Sequence, residues 1–278
     1  MSDRAKPIED RIAPQKAEAV RLGALDLEAH MRDPARKQAF VTPMFDLIAP
    51  RYDQFTRLFS FGMDAGWKRA AIAAATRDQM ATDGASARTA FHALDLAAGT
   101  GDIAVGIARE VPHAHVVAVD ASESMIAAAR VRLSARDADV AARVTPVVGD
   151  MMQLEIARAS MDVVTAGYGV RNVPSAVGAL REMRRVLRPG GRLVLLDFYR
   201  PEPRVWRTLL LWYLRQAGNA VGWWWHREPV VYGYIASSID HFVSWQRMSA
   251  MLVDAGFRVE RVERYLGGGV ARHEAIAV

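Results

Sequence analysis

The glycine-rich segment 94–102 contains the residues of this sequence that are best suited to bind a small ligand. It has the sequence Leu-Asp-Leu-Ala-Ala-Gly-Thr-Gly-Asp and lies between a predicted strand and a predicted helix. Gly99 and Gly101 allow a sharp turn and a close approach of the backbone to a ligand, and the first N–H groups of the helix can donate to it. The pattern Gly99-x-Gly101-x-x-Ala104 also fits a nicotinamide-dinucleotide site, so the loop alone leaves the ligand open.

Three aspartates at successive strands narrow the choice of ligand. Asp95 lies inside the first strand, where a carboxylate favours the cationic ammonium group of a methionine and would repel a pyrophosphate. Asp120 ends the second strand and can accept hydrogen bonds from two ribose hydroxyls in either kind of cofactor. Asp150 follows the third strand, where it can accept from an adenine amino group. Together these residues predict a site for S-adenosylmethionine, although each aspartate alone could be an ordinary turn residue.

The elements that must position these residues alternate between strand and helix. Strands are predicted at 91–97, 116–120, 144–148, 161–166 and 192–198, and helices at 103–110, 122–136 and 176–187. This alternation predicts an α/β fold with a doubly wound, mostly parallel sheet. Residues 201–242 break the alternation and are predicted as a helical lid insertion. A helix at 244–255 and a hairpin of 257–262 with 270–278 are predicted to close the fold.

The 278 residues are predicted to form an extension and one domain. Residues 1–39 are charged, alanine-rich and weakly patterned, which predicts a mobile N-terminal extension. The domain is predicted to cover 40–278 and to begin with helices between 40 and 74.

Composition excludes several kinds of site. The sequence has no cysteine, which excludes disulfides, thiolate zinc sites and a cysteine nucleophile. It also lacks a His-Glu-x-x-His pattern, so no metal site is predicted. The net charge is +5, but no aromatic residues are interleaved with the arginine cluster Arg181, Arg184, Arg185 and Arg188, so nucleic acid is not a predicted partner. No secretory signal and no apolar run of the ~18 residues that a membrane span needs is found, which favours a cytoplasmic location.

Further motifs resemble those of one methyltransferase family. Residues 168–173 (Tyr-Gly-Val-Arg-Asn-Val) follow the fourth strand, and residues 185–193 (Arg-Val-Leu-Arg-Pro-Gly-Gly-Arg-Leu) follow the next helix. With segments 52–53, 60–62, 67–69 and 232–239, they resemble the ubiquinone/menaquinone-biosynthesis C-methyltransferase (UbiE) family. The resemblance covers about residues 40–278, and its most specific part is the pair Arg171-Asn172.

The resemblance implies a class I, Rossmann-like methyltransferase with a seven-stranded sheet. The usual reaction of the family is transfer of a methyl group to a ring carbon of a polyprenylated benzoquinol or naphthoquinol. The resemblance also implies cofactor contacts at Thr100, Asp120, Asp150, Met151 and Gly167.

The sequence departs from the usual family residues at Thr56, Ala98 and Gly167, and its segment 267–269 is rich in glycine. These departures leave two alternatives open. One is a paralogue that methylates another aromatic compound, and the other is a cofactor-binding subunit without activity.

Methylation of an aromatic carbon requires an electron-rich ring. Arg171 is suited to make the ring of the acceptor electron-rich. Its guanidinium stays cationic and can stabilise a phenolate, which raises the electron density at the ortho carbon. Asn172 is predicted to orient the ring oxygen or the loop, and Tyr52 and Asp53 are predicted to close over the cofactor. A structural salt bridge of Arg171 and a packing role of Tyr52 are the alternatives. His273 is a further candidate for the acceptor pocket, with a surface position as its alternative.

The predicted insertion is unusually aromatic and apolar. It contains Trp206, the leucines of 209–211, Trp212 and Trp-Trp-Trp at 223–225, with interleaved arginines. Such a surface predicts peripheral contact of 204–225 with the inner membrane face, where it would admit a prenyl tail. A lid packed on the sheet and a homodimer contact are the alternatives.

Overall fold

The computed structural model describes residues 34–49, 56–57, 60, 62–80, 90–135, 138–225 and 230–278. The predictions for Tyr52, Asp53 and most of the N-terminal extension therefore lie outside the described residues. Among the described residues, the helix nearest the N-terminus begins at Pro34, upstream of residue 40, where the sequence placed the start of the domain.

A single seven-stranded sheet forms the centre of the fold. Its strands are β1 (Phe91–Leu96), β2 (Ala114–Asp120), β3 (Val144–Val148), β4 (Met161–Gly167), β5 (Leu187–Phe198), β6 (Phe257–Tyr265) and β7 (Val270–Ala277). Their order is β3-β2-β1-β4-β5-β7-β6. Strands β1 to β5 pair in parallel, and β7 is antiparallel to both β5 and β6. The predicted mostly parallel, seven-stranded sheet is confirmed.

The helices cover both faces of this sheet. They are α1 (Pro34–Ile48), α2 (Asp64–Met80), α3 (Asp102–Glu110), α4 (Glu123–Ser134), α5 (Ala138–Ala142), α6 (Ala176–Val186), α7 (Arg204–Trp225), α8 (Val230–Asp240) and α9 (Trp245–Asp254). Burial on both faces explains the near-continuous apolar sequence of the central strands, in which Ala93, Leu94 and Leu96 are fully buried. The hydroxyls of Ser122 and Ser175 accept from backbone N–H groups at the starts of α4 and α6, which explains where these helices begin.

Strands β5 and β6 extend at least three residues beyond their predicted bounds. Strand β5 pairs with β4 from Leu187 onward, and β6 continues to Tyr265, opposite Val270. The added part of β6 is charged, which resembles loop composition. Its Glu263 is instead paired with Arg272 of β7 at 2.6 Å, so the charges stabilise the hairpin across strands.

The predicted insertion is helical and consists of α7 and α8. Leu210, Leu211 and Leu214 of α7 pack against Ala236 and Ile239 of α8 in a small apolar cluster. Within the part of the chain that the structure describes, no helix combines the length and apolar character needed to cross a membrane.

Chain order reverses between β1 and β4, because β2 and β3 lie on one side of β1 and β4 and β5 lie on the other. In open α/β sheets a crevice forms outside the carboxyl ends of the strands at such a point. The topology therefore places the candidate site at the loops that follow β1 and β4.

Candidate active site

The glycine loop occupies the crevice at the end of β1. Gly99 and Gly101 have φ of 54° and 87°, values at which a side chain would be strained, and Gly101 directly precedes helix α3. Two residues that carry side chains, Ala97 and Tyr168, also have positive φ, at 51° and 61°. They follow β1 and β4, and strained backbone of this kind concentrates at functional sites.

Asp120 connects the end of β2 to this loop. Its Oδ2 accepts from the N–H of Gly99 at 2.8 Å, and its Oδ1 accepts from the N–H of Ser122 at 2.9 Å. Burial raises the pKa of the Asp120 carboxyl, against the opposing effect of these two hydrogen bonds. The carboxylate is thus held at one orientation in the wall of the crevice.

The first cavity, which we call the cofactor cavity, lies at the carboxyl ends of the parallel strands. The loops after β1 to β4 and helix α1 line it. Predicted site residues in its wall are Gly99, Asp120, Asp150, Met151, Gly167 and Asn172. Asp150 is fixed there because its Oδ1 accepts from the N–H of Met152 at 2.8 Å. Residues from distant parts of the sequence therefore meet as the strand-end pattern predicts.

Asp95, Thr100 and Gly101 are not among the residues that line the cofactor cavity. The Asp95 carboxylate is buried, and it accepts from the N–H of Ala104 at 3.1 Å and from the hydroxyl of Thr165 at 2.7 Å. Burial raises the pKa of Asp95 to about 7. The carboxylate expected to face an ammonium group is directed instead at the first turn of α3, because this helix covers its face of the sheet. Thr100 similarly accepts a hydrogen bond from Arg132 at 2.6 Å.

Arg171 lies in a 3₁₀ turn after β4 and is almost completely buried. Its Nη1 donates to Oδ1 of Asp197 at 2.6 Å and to the carbonyl of Tyr168 at 2.7 Å. Its guanidinium carbon lies 5.3 Å from the ring centre of Phe198. The salt bridge considered as an alternative is therefore present, while Arg171 also lines a second cavity. Sequence reasoning missed Asp197, although a carboxylate at the end of an apolar strand was a signal for it.

Asn172 joins this turn to the helical insertion. Its Nδ2 donates to the carbonyl of Tyr168 at 3.0 Å, and its Oδ1 accepts from the hydroxyl of Tyr234 in α8 at 2.8 Å. Tyr234 is fully buried, and burial raises the pKa of its hydroxyl, which therefore remains a donor. These bonds hold Asn172 between the turn and α8, and its orienting role toward a ring oxygen or the loop stays a prediction.

The second cavity, which we call the acceptor cavity, shares Phe45 and Tyr168 with the cofactor cavity. Its wall is mostly apolar, and Arg171, Asp64 and Ser60 contribute polar groups to it. A third cavity shares Ser60, Trp67, Phe198 and Leu214 with the acceptor cavity and has an apolar lining. The acceptor cavity therefore adjoins both of the other cavities.

Helix α1 covers the cofactor cavity and is attached at two points that the sequence did not reveal. Lys37 donates to the carbonyls of Arg171 and Val173 at 2.5 and 3.2 Å, and burial lowers its pKa to about 8. Asp46 accepts from the hydroxyl of Ser122 at 2.5 Å. These bonds connect α1 to the turn that carries Arg171 and to the start of α4.

His273 lies in neither of the positions considered for it. Its ring is fully buried, with Nε2 3.0 Å from the carbonyl of Trp245 and Nδ1 3.3 Å from the hydroxyl of Tyr199. Burial lowers the pKa of His273 to about 4, which makes the neutral ring a part of the core. Among the described residues, no group of three or more metal-binding side chains is found.

The strand order, the antiparallel β7 and the glycine loop bonded to Asp120 at the switch point define a class I methyltransferase. Comparison with known proteins agrees. The family model "ubiE/COQ5 methyltransferase family" matches residues 33–277. The chain belongs to this family, and it is a methyltransferase that uses S-adenosylmethionine.

Two curated relatives illustrate the similarity. The chain is 36% identical over 228 residues to a ubiquinone/menaquinone biosynthesis C-methyltransferase UbiE of Syntrophotalea carbinolica, covering 82% of this chain and 90% of that protein. It is 31% identical over 234 residues to a demethylmenaquinone methyltransferase of Lactiplantibacillus plantarum, covering 84% and 94%. The predicted family, enzyme class and cofactor are confirmed.

Solved structures share the fold at low sequence identity. A putative methyltransferase in complex with the Trm112 activator of Haloferax volcanii has a TM-score of 0.56 and 18% identity, covering 84% of this chain and 97% of that chain. A geranyl diphosphate methyltransferase in complex with GPP and sinefungin has a TM-score of 0.52 and 13% identity, covering 69% and 73%.

Proposed function

We propose that this chain methylates a ring carbon of a polyprenylated benzoquinol or naphthoquinol. The observation that carries the proposal is the pair of adjoining cavities, one bordered by Asp120 and Asp150 and the other apolar and bordered by Arg171. Relatives named for ubiquinone and menaquinone biosynthesis support the same class of acceptor.

The residues of the cofactor cavity fit S-adenosylmethionine. Asp120 is held by two backbone N–H groups and is proposed to accept from the ribose hydroxyls, while Asp150 accepts from the adenine amino group and Met151 packs against the ring. Gly169 allows the loops after β1 and β4 to approach closely in this wall, because a Cβ there would collide with Ala97 and crowd Met151. When bound, the cofactor supplies a methyl group activated by a cationic sulfur. Asp95 and Thr100 support the loop from behind.

Arg171 is proposed to stabilise the phenolate form of the acceptor. Its bonds to Asp197 and to the Tyr168 carbonyl hold the guanidinium at the wall of the acceptor cavity. A fixed cation in an apolar cavity interacts more strongly with developing negative charge than it would in bulk water, because screening is weaker there. The bond from Tyr234 to Asn172 keeps the turn in place, so the insertion contributes to the site.

The third cavity is proposed to hold the prenyl tail. Its wall includes Leu209, Trp212 and Leu214 of α7, together with Trp67 of α2. The side chains of Leu209 and Trp212 are 53% and 61% exposed, and Val205, one turn earlier on α7, is 75% exposed. Exposed apolar residues at this spacing lie on one face of a helix, flanked here by Arg204 and Arg215. We propose that this face contacts the membrane surface that supplies the acceptor.

Complementation tests the proposed acceptor. The gene is expressed in strains that lack ring methylation in ubiquinone or menaquinone synthesis, and the quinones are analysed by mass. Restoration of either methylated quinone is the expected result. Arg171→Ala serves as the internal test in purified protein. Because this variant also leaves Asp197 buried without its partner, retained cofactor binding must first show that it is folded. Its turnover should then be about 10²–10³-fold lower, as for loss of an oxyanion donor. Failure in both strains would favour another aromatic acceptor.

Flotation with vesicles containing anionic phospholipid tests the membrane face. Wild type is expected to float with the vesicles, and a Leu209→Ser, Trp212→Ser double variant is expected to remain in the dense fraction. The matched control is Val131→Ser with Val253→Ser, which removes apolar side chains that are 70% and 60% exposed on α4 and α9. Absence of binding by wild type would rule the membrane contact out.

A further inference from the structure

We propose that Asp64 is the base that removes the ring proton of the acceptor after the methyl group has been transferred. The proposal rests on the proposed function, since it assigns a second residue to the same acceptor cavity. It follows from the position of one buried carboxylate that neither the cofactor nor the phenolate requires.

Asp64 is the first residue of α2 and lies in the wall of the acceptor cavity. Its Oδ1 accepts from the hydroxyl of Ser60 at 2.8 Å, and its Oδ2 lies 3.6 Å from the ammonium of Lys68. The Ser60 oxygen in turn accepts from the backbone N–H of Asp64 at 3.2 Å. The carboxylate is therefore held in one orientation, with a cation one helical turn away.

The helix start alone does not explain this burial. An acidic residue in the first turn is favourable with the helix dipole, but such residues ordinarily remain in contact with water. Asp64 is only 8% exposed, and the residues around it in the cavity include Trp67 and Leu214. Burial of a carboxylate among apolar side chains costs free energy, which a role toward the acceptor would explain.

The reaction needs a base on the ring-carbon side. The ring carbon forms a bond to the methyl carbon, while the bond from methyl to sulfur breaks and its electron pair stays on the sulfur. The ring carbon then carries both the methyl group and its original hydrogen. Loss of that hydrogen as a proton to a carboxylate returns the C–H electron pair to the ring and restores aromaticity. One proton leaves the acceptor for each methyl group that enters.

Among the lining groups of the acceptor cavity, Asp64 has the chemistry best suited to accept this proton. The other titratable side chains in the described wall of the acceptor cavity are Tyr168, Arg171 and Tyr234. Arg171 remains protonated, and the Tyr234 hydroxyl, whose pKa is raised by burial, donates to Asn172. Asp64 carries the one carboxylate among the lining residues that the structure describes. The guanidinium and the carboxylate thus provide opposite charges to the ring oxygen and the ring C–H.

Asp64→Asn tests the assignment, because the amide keeps the shape and the acceptor for Ser60 but takes up no proton. We expect kcat to fall about 10²–10⁴-fold, as for loss of a general base, with an unchanged dissociation constant for S-adenosylmethionine. Proton removal should become rate-limiting, so an acceptor deuterated at the methylated carbon should react more slowly than the protonated one. The matched control is Asp78→Asn on the same helix, whose carboxylate pairs with Arg192 at 2.8 Å outside the acceptor cavity.

Wild-type turnover in Asp64→Asn, or a slower turnover without an isotope effect, would overturn the assignment. If this variant does not fold, Asp64→Glu retains the charge at the helix start and displaces the carboxylate. The Asp64→Glu variant should turn over more slowly than wild type and show the isotope effect. Wild-type kinetics, or slower turnover without the isotope effect, counts against the proposal. Wild type that methylates no quinol refutes the proposed function as well, whereas an active wild type with an equally active Asp64→Asn refutes only the role of Asp64.

Discussion

Removal of the Asp197 carboxylate should destabilise the protein strongly, because it leaves the Arg171 cation buried without its counter-charge. Nη1 of Arg171 lies 2.6 Å from Oδ1 of Asp197, and the two side chains are 7% and 1% exposed. Breaking such a buried pair from one side costs about 3–5 kcal/mol. Asp197 also accepts from the N–H groups of Arg171 and Phe198 at 3.1 and 2.8 Å, so we expect Asp197→Ala to lie in the upper half of that range.

Urea denaturation of Asp197→Ala, Arg171→Met and the double variant measures this cost. If the unpaired charge causes the loss, the double variant loses less than the sum of the two single variants. The melting temperature of Asp197→Ala should fall by roughly 2–4 °C for each kcal/mol lost. The control is Asp139→Ala, whose carboxylate pairs with Arg143 at 2.8 Å but is 74% exposed, and whose loss should cost below about 1 kcal/mol. A loss below about 1 kcal/mol for Asp197→Ala, or strict additivity, would refute the reasoning.

Two further predictions concern the cofactor cavity and the core. Asp120→Asn should weaken S-adenosylmethionine binding roughly 10–100-fold in calorimetric titration, because a hydrogen bond to a charged group is worth about 1.5–3 kcal/mol. The control Asp139→Asn should bind the cofactor with wild-type affinity. Equal affinities of the two variants would contradict the assignment of Asp120. Burial lowers the pKa of His273 from 6.5 to about 4, so between these values the unfolded state binds a proton that the folded state does not. The free energy of unfolding should therefore fall as the pH drops from 6.5 to 4, and His273→Gln should reduce that slope in urea denaturation; an unchanged slope would mean that His273 is not the group responsible.

Local sequence patterns were sufficient to predict the elements near the site. Apolar runs of strand length alternate with helical segments, and the glycines at 99 and 101 mark a turn that only a few residue types can form. The positions of Asp120 and Asp150 in the wall of the cofactor cavity could be predicted because the carboxyl ends of parallel strands share one edge of the sheet. These inferences need only the periodicity and position of residues along the chain.

The direction of individual side chains could not be predicted in this way. Asp95 was expected to face a ligand, but its carboxylate bonds to Ala104 and Thr165 because α3 packs over that face of the sheet. His273 was considered for a pocket or the surface and is instead buried beside Trp245. Both depend on which helix covers which face, and spacing in the sequence does not contain that information.

The sequence by itself determined the fold class, the family and the strand-end residues of the cofactor cavity, because these depend on short-range patterns and recognisable motifs. Only the tertiary structure decided which distant residues lie together at and beside the acceptor cavity. It brings Asp197 into contact with Arg171 and Tyr234 into contact with Asn172. It also places Asp64 in the wall of the apolar acceptor cavity, which Arg171 and Tyr234 line as well. Each of these contacts joins separate elements, and their formation depends on how helices and strands pack rather than on any local preference.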